Sequence, residues 1–146
     1  AETVVTDLTL APLAGTFARV LLDAPCTATG TIRRHPDVPH LKRPEDVPRL
    51  AQLQDRLLEA AVKATEPGGL LVYAVCSLQP EEGPERIRAL FASGAPVSRV
   101  PINGAEVNGF DMLLTAEGEL RTLPCHLGEW GGIDGFFAAR LRRQAS

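Results

Sequence analysis

The sequence predicts an α/β domain built on a largely parallel sheet. Two short apolar runs, Arg19–Asp23 and Leu70–Val75, have the length and continuity of strands buried on both faces. A helical pattern lies between them, from Asp46 to the glycines at 68–69, and strand, helix and strand in this order form a βαβ unit. Ligands of open α/β sheets bind beyond the carboxyl ends of the strands, so the residues directly after these two runs are candidates for a site.

The elements before and between these strands follow from turn residues and periodicity. We predict a brief strand at Thr3–Asp7, where β-branched residues precede a segment with proline and glycine. A long loop follows the Arg19–Asp23 strand as far as about Pro44. The helix after it has Asp46 as a cap and Pro48 in its first turn. Its apolar stripe at helical spacing is Leu50, Leu53, Leu57 and Ala61.

The second half of the chain predicts one more helix and two more strands. Glu81 and Glu82 complement the dipole at the start of a helix that ends near Ser93–Gly94. The buried stripe of that helix is Ile87, Leu90 and Phe91. Strands are predicted at 97–102 and 135–141, separated by a segment that mixes glycine and polar residues.

Length and composition indicate one globular domain. The chain has 146 residues, of which 45% are hydrophobic and 23% are charged, and its apolar runs are too short to cross a bilayer. The first five residues have neither the basic start nor the apolar stretch of an export signal, so we expect none. Three scattered cysteines without zinc-ligand spacing indicate neither a disulfide framework nor a metal site. We therefore expect a soluble protein of the cytoplasm.

Charge is distributed unevenly. The net charge of −3 argues against a basic surface over the whole protein, of the kind that nucleic-acid binders often carry. Positive charge is nevertheless concentrated after Cys26, against the single acid Asp37. The basic residues of this stretch are Arg33, Arg34, His35, His40, Lys42 and Arg43. The stretch suits phosphate, and it equally suits a solvated loop with ion-pair partners elsewhere.

Cys26 and Cys76 follow the two central runs, so both thiols are expected at one crevice. A thiolate is a strong nucleophile, but it needs a lowered pKa or a neighbouring base to be populated at neutral pH. Taken singly, a buried cysteine is more often a small core residue, and Cys125 has no motif around it. A thiol hydrolase is a weaker alternative, because its candidate bases lack a protease signature. Those bases are His35, His40 and His126.

Three motifs in order resemble the RNA cytosine-C5 methyltransferases of the Sun/Fmu/RsmB type. The first is Asp-Ala-Pro-Cys-Thr-Ala-Thr-Gly at 23–30, which continues to Asp37. The second, at 73–82, is a Tyr-x-x-Cys-Ser block with trailing acids, in which Val75 stands where threonine is commoner. The third, at 132–141, is similar to the C-terminal strand motif of that family. Together they span nearly the whole chain.

This resemblance implies methylation of carbon 5 of cytosine in RNA, through a covalent adduct and with S-adenosylmethionine as the cofactor. It implies 16S ribosomal RNA as the substrate, with transfer RNA as the alternative. Cys76 is then the attacking nucleophile and Cys26 assists breakdown of the adduct. Asp23 hydrogen-bonds the cytosine edge or helps to protonate the ring, and also belongs to the cofactor site. Asp7 matches the carboxylate that contacts the cofactor adenine.

Arg33 and Arg34 are assigned to RNA phosphate on charge and position alone. A non-catalytic RNA-binding or assembly module with the same fold remains the alternative to an enzyme.

The glycine-rich turn of the family's cofactor site has no counterpart here, because the pairs at 68–69 and 131–132 precede strands instead of opening a helix. In the family fold that turn and any N-terminal RNA-binding domain lie upstream. We therefore expect residues 1–146 to form a partial Rossmann-like methyltransferase domain, with strand order 4-5-7-6 plus a short strand 3. Alone it should bind S-adenosylmethionine weakly or not at all and be inactive. Its exposed strand edge at 19–23 predicts self-association.

Overall fold

The structure is a computed structural model that describes residues 2–11 and 13–145. Within these residues, five strands form one sheet: β1 (Phe17–Asp23), β2 (Thr65–Val75), β3 (Val97–Arg99), β4 (Leu120–Thr122) and β5 (Phe136–Arg143). The α-helices are α1 (Val38–Leu41), α2 (Asp46–Ala64) and α3 (Pro84–Ala92). Short 3-10 turns lie at Thr29–Thr31, Gly104–Val107, Asp111–Leu113 and Gly128–Trp130. No helix in the described part of the chain is long and apolar enough to cross a membrane.

The strand order is β1-β2-β5-β3, which is the predicted order 4-5-7-6. β1 and β2 are parallel and are joined through α2, as predicted for the βαβ unit, whereas β5 is antiparallel to both of its neighbours. β4 also pairs with β5, on the edge away from β2. Because β3 pairs with 141–143 and β4 with 136–138, these two short strands form one edge strand that is interrupted by the segment between them.

The core lies between one face of the sheet and the helices α2 and α3. Alternate residues of the two central strands point to this face and are buried. They are Leu71, Tyr73 and Val75 of β2 and Phe137, Ala139 and Leu141 of β5. Leu58 of α2 and Ile87 of α3 pack against them. The opposite face is more open, and Leu21 on it is 71% exposed.

Two expectations for the first strands are wrong. Residues 3–7 form no strand, and their side chains are exposed. A β-branched sequence forms a strand only where another strand supplies hydrogen bonds, and in the described residues this segment has no such neighbour. β1 is also not buried on both faces, because helices cover only one face and β1 lies at the edge of the sheet.

Helix α2 ends at Ala64, earlier than the glycine pair that was expected to end it. Thr65 has an extended backbone, and its hydroxyl donates a hydrogen bond to the Ala61 carbonyl oxygen at 2.8 Å. β2 then begins at once, so Gly68 and Gly69 lie inside the strand segment. The helix therefore stops where a β-branched residue bonds back to the last turn.

The outer edge of β1 predicts self-association. The Ala24 N–H bonds to the Ala74 carbonyl, so the backbone groups of Arg19, Leu21 and Asp23 point away from β2. We expect sedimentation equilibrium at micromolar concentration to give a mass above that of one chain. Leu21→Lys should return the mass towards a monomer, because a lysine opposes edge pairing.

Met112→Lys is the matched control, since Met112 is 61% exposed and lies away from β1. It should leave the mass unchanged. A strictly monomeric wild-type chain would contradict the prediction.

Candidate active site at two strand ends

Two thiols meet at the carboxyl ends of the parallel strands β1 and β2. Cys26 follows β1 by three residues and Cys76 follows β2 directly, and both are half-buried. Their Sγ atoms are 3.5 Å apart. The structure thus brings together the two residues that the sequence assigned to one crevice.

The two thiols are not equivalent. Burial chiefly, and the neighbouring Cys76 and Glu82 to a smaller extent, raise the pKa of the Cys26 thiol to about 12, against a lowering hydrogen bond from the Ala28 backbone. Cys26 therefore keeps its proton at neutral pH and can donate it in the contact with the Cys76 sulfur.

Two glycines, Gly30 and Gly135, allow close packing and hydrogen bonding between the loops of the site. The Gly30 N–H donates to the Cys76 carbonyl at 3.0 Å, and the Gly135 N–H donates to the Gly30 carbonyl at 2.8 Å. A Cβ atom at position 30 would collide with the Gly135 carbonyl and lie 2.9 Å from the Cys76 carbonyl oxygen. Ala28 in the same loop has a left-handed backbone, with φ of 59°, which is strained for a residue with a side chain. Gly30, Cys76 and Gly135 belong to the three different sequence motifs, so all three motifs meet where these residues are hydrogen-bonded.

A buried carboxylate lies behind the cysteines. Glu82 is 0% exposed and accepts hydrogen bonds from the Thr27 N–H at 2.9 Å, the Thr27 hydroxyl at 2.5 Å and the Ser77 hydroxyl at 2.5 Å. The prediction that Glu82 lies at the start of a helix, where it would complement the dipole, is wrong. Helix α3 begins two residues later, at Pro84, because Glu82 turns inward to these donors. A hydroxyl residue directly after each cysteine was the available sequence signal.

Arg121 is a second residue that sequence reasoning missed. It lies on β4 and donates to two carbonyls of the loop after Cys76, that of Ser77 at 3.0 Å and that of Leu78 at 2.7 Å. Burial lowers the pKa of its guanidinium, which is nevertheless charged at neutral pH. Nothing in the sequence indicates this contact, because it joins residues more than forty positions apart.

The residues assigned to RNA and to the cofactor occupy different surroundings. Arg33 and Arg34 both pair with Asp134, at 3.4 and 2.5 Å, and about half of each arginine side chain stays exposed. This is the ion-pair partner that the alternative interpretation of the basic stretch required. Asp23 ends β1 at the same sheet edge as the cysteines and is exposed. The hydrogen bonds of the described residues do not involve its carboxylate.

Asp7 lies in the exposed segment before β1. Its carboxylate accepts from the Thr9 N–H at 2.8 Å and the Thr9 hydroxyl at 2.7 Å, and these bonds lower its pKa. Within the described residues no hydrogen bond joins it to the cysteine pair.

The thiol hydrolase alternative finds no support in the geometry. In the described part of the chain the hydrogen-bond partner of the Cys76 sulfur is Cys26, and no histidine occupies that position. His126 instead accepts from the Leu123 N–H through Nδ1, at 3.3 Å. Cys125 is exposed and forms no disulfide within the described residues.

Comparisons with known proteins agree with the fold and the motifs. A family model described as 16S rRNA methyltransferase RsmB/F matches residues 3–142. The ribosomal RNA small subunit methyltransferase B of Thermus thermophilus is 44% identical over 137 residues, 94% of this chain and 32% of that protein. The protein of the same name from Cronobacter sakazakii is 46% identical over 125 residues, 86% of this chain and 26% of that protein.

Two solved structures from Pyrococcus horikoshii share the architecture. NSun6, solved with SFG, superposes with a TM-score of 0.76 at 26% identity and covers 99% of this chain and 35% of its own. A methyltransferase homolog protein superposes with a TM-score of 0.65 at 34% identity, over 88% of this chain and 40% of its own.

The chain has the Rossmann-like α/β fold of methyltransferases. The chain belongs to the RsmB/F family of 16S rRNA methyltransferases. It spans about a third or less of the length of the curated relatives that it matches.

The protonation of Cys26 can be tested by alkylation. In a Cys76→Ser, Cys125→Ser variant, the rate of reaction of Cys26 with iodoacetamide should rise about tenfold per pH unit from about pH 7 to about pH 10, because only the thiolate reacts. The burial that raises its pKa to about 12 keeps the thiolate scarce throughout this range.

The same variant in urea is the control, and there the rate should level off near the ordinary thiol pKa of about 8.5. The unfolded thiol ionises first, so Cys26 lowers stability as the pH rises from about 9 towards about 12. A plateau below about pH 10 in the folded protein would show that burial does not control this thiol.

Proposed function

We propose that the chain is the C-terminal part of a catalytic domain that methylates carbon 5 of cytosine in RNA, with S-adenosylmethionine as the methyl donor. The observation that carries this proposal is the pair of sulfur atoms, 3.5 Å apart, of which one keeps its proton. The names of the relatives favour small-subunit ribosomal RNA over transfer RNA as the substrate.

Cys76 is proposed as the nucleophile. Carbon 5 of cytosine is a weak nucleophile until a group adds to carbon 6. The Cys76 thiolate forms a bond to carbon 6, and the electron pair of the ring double bond then becomes available at carbon 5. Carbon 5 bonds the methyl group as the bond from that group to the donor sulfur breaks, and the donor leaves as a neutral thioether. A base takes the carbon-5 proton, the double bond returns and the carbon–sulfur bond breaks.

Cys26 is proposed to assist the breakdown of this adduct. It is neutral and 3.5 Å from the attacking sulfur, so its S–H can donate to the Cys76 thiolate before addition and again as that thiolate leaves. Asp23, exposed at the end of β1, is proposed to hydrogen-bond the cytosine edge. Arg33 and Arg34 retain exposed surface beside Asp134 and are proposed to contact RNA phosphate.

The described residues supply part of a cofactor site. S-adenosylmethionine, when bound, supplies an electrophilic methyl group. The exposed carboxylates of Asp7 and Asp23 are suited to accept hydrogen bonds from its amine and hydroxyl groups. The glycine pair at 68–69 lies within β2, and the pair at 131–132 follows a 3-10 turn, so neither opens a helix. We further propose a cytoplasmic location, where ribosomal RNA is available.

The partial site predicts weak cofactor binding by this chain. Isothermal titration of the 146-residue chain with S-adenosylmethionine should show no micromolar affinity, because the backbone amides of a glycine-rich turn are absent from the described residues. A chain of full family length that carries this sequence is the control and should bind. Micromolar affinity of the 146 residues alone would contradict the prediction.

Covalent trapping tests the proposed chemistry. An enzyme of full family length that carries this sequence is incubated with labelled S-adenosylmethionine and RNA containing 5-fluorocytosine. The fluorine stands in place of the carbon-5 proton that a base would remove, so the adduct cannot break down. We expect a covalent protein–RNA adduct. Cys76→Ala should abolish it, because no sulfur can then add to carbon 6.

Cys26→Ala should form the adduct with ordinary cytosine RNA as well, since breakdown is slowed, and Cys125→Ala should behave as the wild type. If the wild-type enzyme formed no adduct and transferred no methyl group, the result would contradict the proposed chemistry and favour a non-catalytic RNA-binding module.

A further inference from the structure

Glu82 is a buried acidic side chain to which the proposed chemistry gives no part. We propose that Glu82 is a positioning residue, whose carboxylate ties the loop that carries Cys26 to the loop that carries Cys76 and so holds the two sulfurs 3.5 Å apart. The catalytic meaning of this inference rests on the proposed function. The hydrogen bonds of Glu82 and the distance between the sulfurs are observed within this chain and do not depend on that function.

One carboxylate oxygen joins the two loops. Oε2 of Glu82 accepts from the hydroxyls of Thr27 and Ser77, both at 2.5 Å. These are the residues directly after Cys26 and Cys76. Because each bond is to an immediate chain neighbour of a cysteine, a displacement of the carboxylate displaces both thiols.

The other oxygen fixes Cys26 from the helix side. Oε1 of Glu82 accepts from the Thr27 N–H at 2.9 Å and from Nε2 of Gln54 at 3.2 Å. The same Gln54 nitrogen donates to the Pro25 carbonyl at 2.8 Å. The residues before and after Cys26 are thus both held through one buried cluster on α2 and Glu82.

The Glu82 backbone is itself anchored to the sheet. The Tyr73 hydroxyl, fully buried on β2, donates to the Glu82 carbonyl oxygen at 2.6 Å. The backbone from which the carboxylate extends is therefore held in place. The carboxylate itself accepts from four donors, which are the Thr27 N–H, the Thr27 and Ser77 hydroxyls and Gln54 Nε2. A buried carboxylate is tolerated only when such donors replace water.

Glu82→Gln is the sharpest change, because it keeps the shape of the side chain and exchanges one acceptor oxygen for an N–H₂ group. On the Oε1 side that group would face the Thr27 N–H, which cannot accept a hydrogen bond. On the Oε2 side the Thr27 and Ser77 hydroxyls would lose the oxygen that accepts from both of them. We expect the two loops to separate in the folded protein.

The distance between the thiols is measured through their oxidation. In a Cys125→Ser background, the 146-residue chain is equilibrated with oxidised glutathione, which takes two electrons and two protons from the two thiols. The products are a Cys26–Cys76 disulfide and two reduced glutathiones. The equilibrium constant reports how well the sulfurs are held together. Glu82→Gln should lower it by about tenfold.

Ile87→Val is the matched control, since Ile87 is fully buried on α3 and makes none of these hydrogen bonds. It should lower the stability to denaturant and leave the disulfide equilibrium within about twofold of the wild type. Ser77→Ala, which removes one donor, should lower the constant by about threefold and carries the test if Glu82→Gln does not fold. Loss of stability with an unchanged disulfide equilibrium in both variants would overturn the proposal.

The outcome is distinguishable from that of the proposed function. The glutathione measurement needs neither RNA nor cofactor, so a lowered constant supports positioning even where trapping fails. In an enzyme of full family length, Glu82→Gln should lower kcat with little change in KM for RNA, because the thiols act on bound substrate. A Glu82→Gln variant with an unchanged disulfide equilibrium constant and an unchanged kcat would overturn the inference. The methyltransferase proposal would then remain as it was.

Discussion

The parallel pairing of β1 with β2 is the constraint on which the site depends. Asp23 lies opposite Ala74 in this ladder, so Cys26 and Cys76 leave the sheet at the same level. A slip of one residue would move one cysteine by about 3.3 Å and turn its side chain to the other face. The register is fixed by the crossover helix α2 and by the buried alternation of Leu71, Tyr73 and Val75.

The site is held by polar contacts that a hydrophobic core alone would not produce. Thr27, Ser77 and Glu82 are all fully or almost fully buried, and their polar atoms are paired with one another. Leaving one of these groups unpaired would cost about 1–3 kcal/mol, so the cluster behaves as a unit. Such a unit resists small displacements of the loops, and the left-handed Ala28 is retained within the same loop.

The sequence predicted those features that local pattern determines. The apolar runs of β2 and β5 and the stripe of α3 were recognised, because periodicity and turn residues lie within each segment. The strand at 3–7 was wrong, since pairing depends on residues elsewhere in the chain. Glu82 was misplaced for a related reason, because its burial is compensated by Thr27, which lies 55 positions away.

The contacts of the cysteine pair and the segment that carries Asp7 lie in different parts of the structure. All the contacts that set the cysteine geometry come from residues described here: the loops after β1 and β2, helix α2, β4 and the turn before β5. Asp7 makes none of these contacts and lies in an exposed segment without a strand. The two thiols can therefore be held 3.5 Å apart independently of Asp7, and the thiol pair of this chain reports on that geometry by itself.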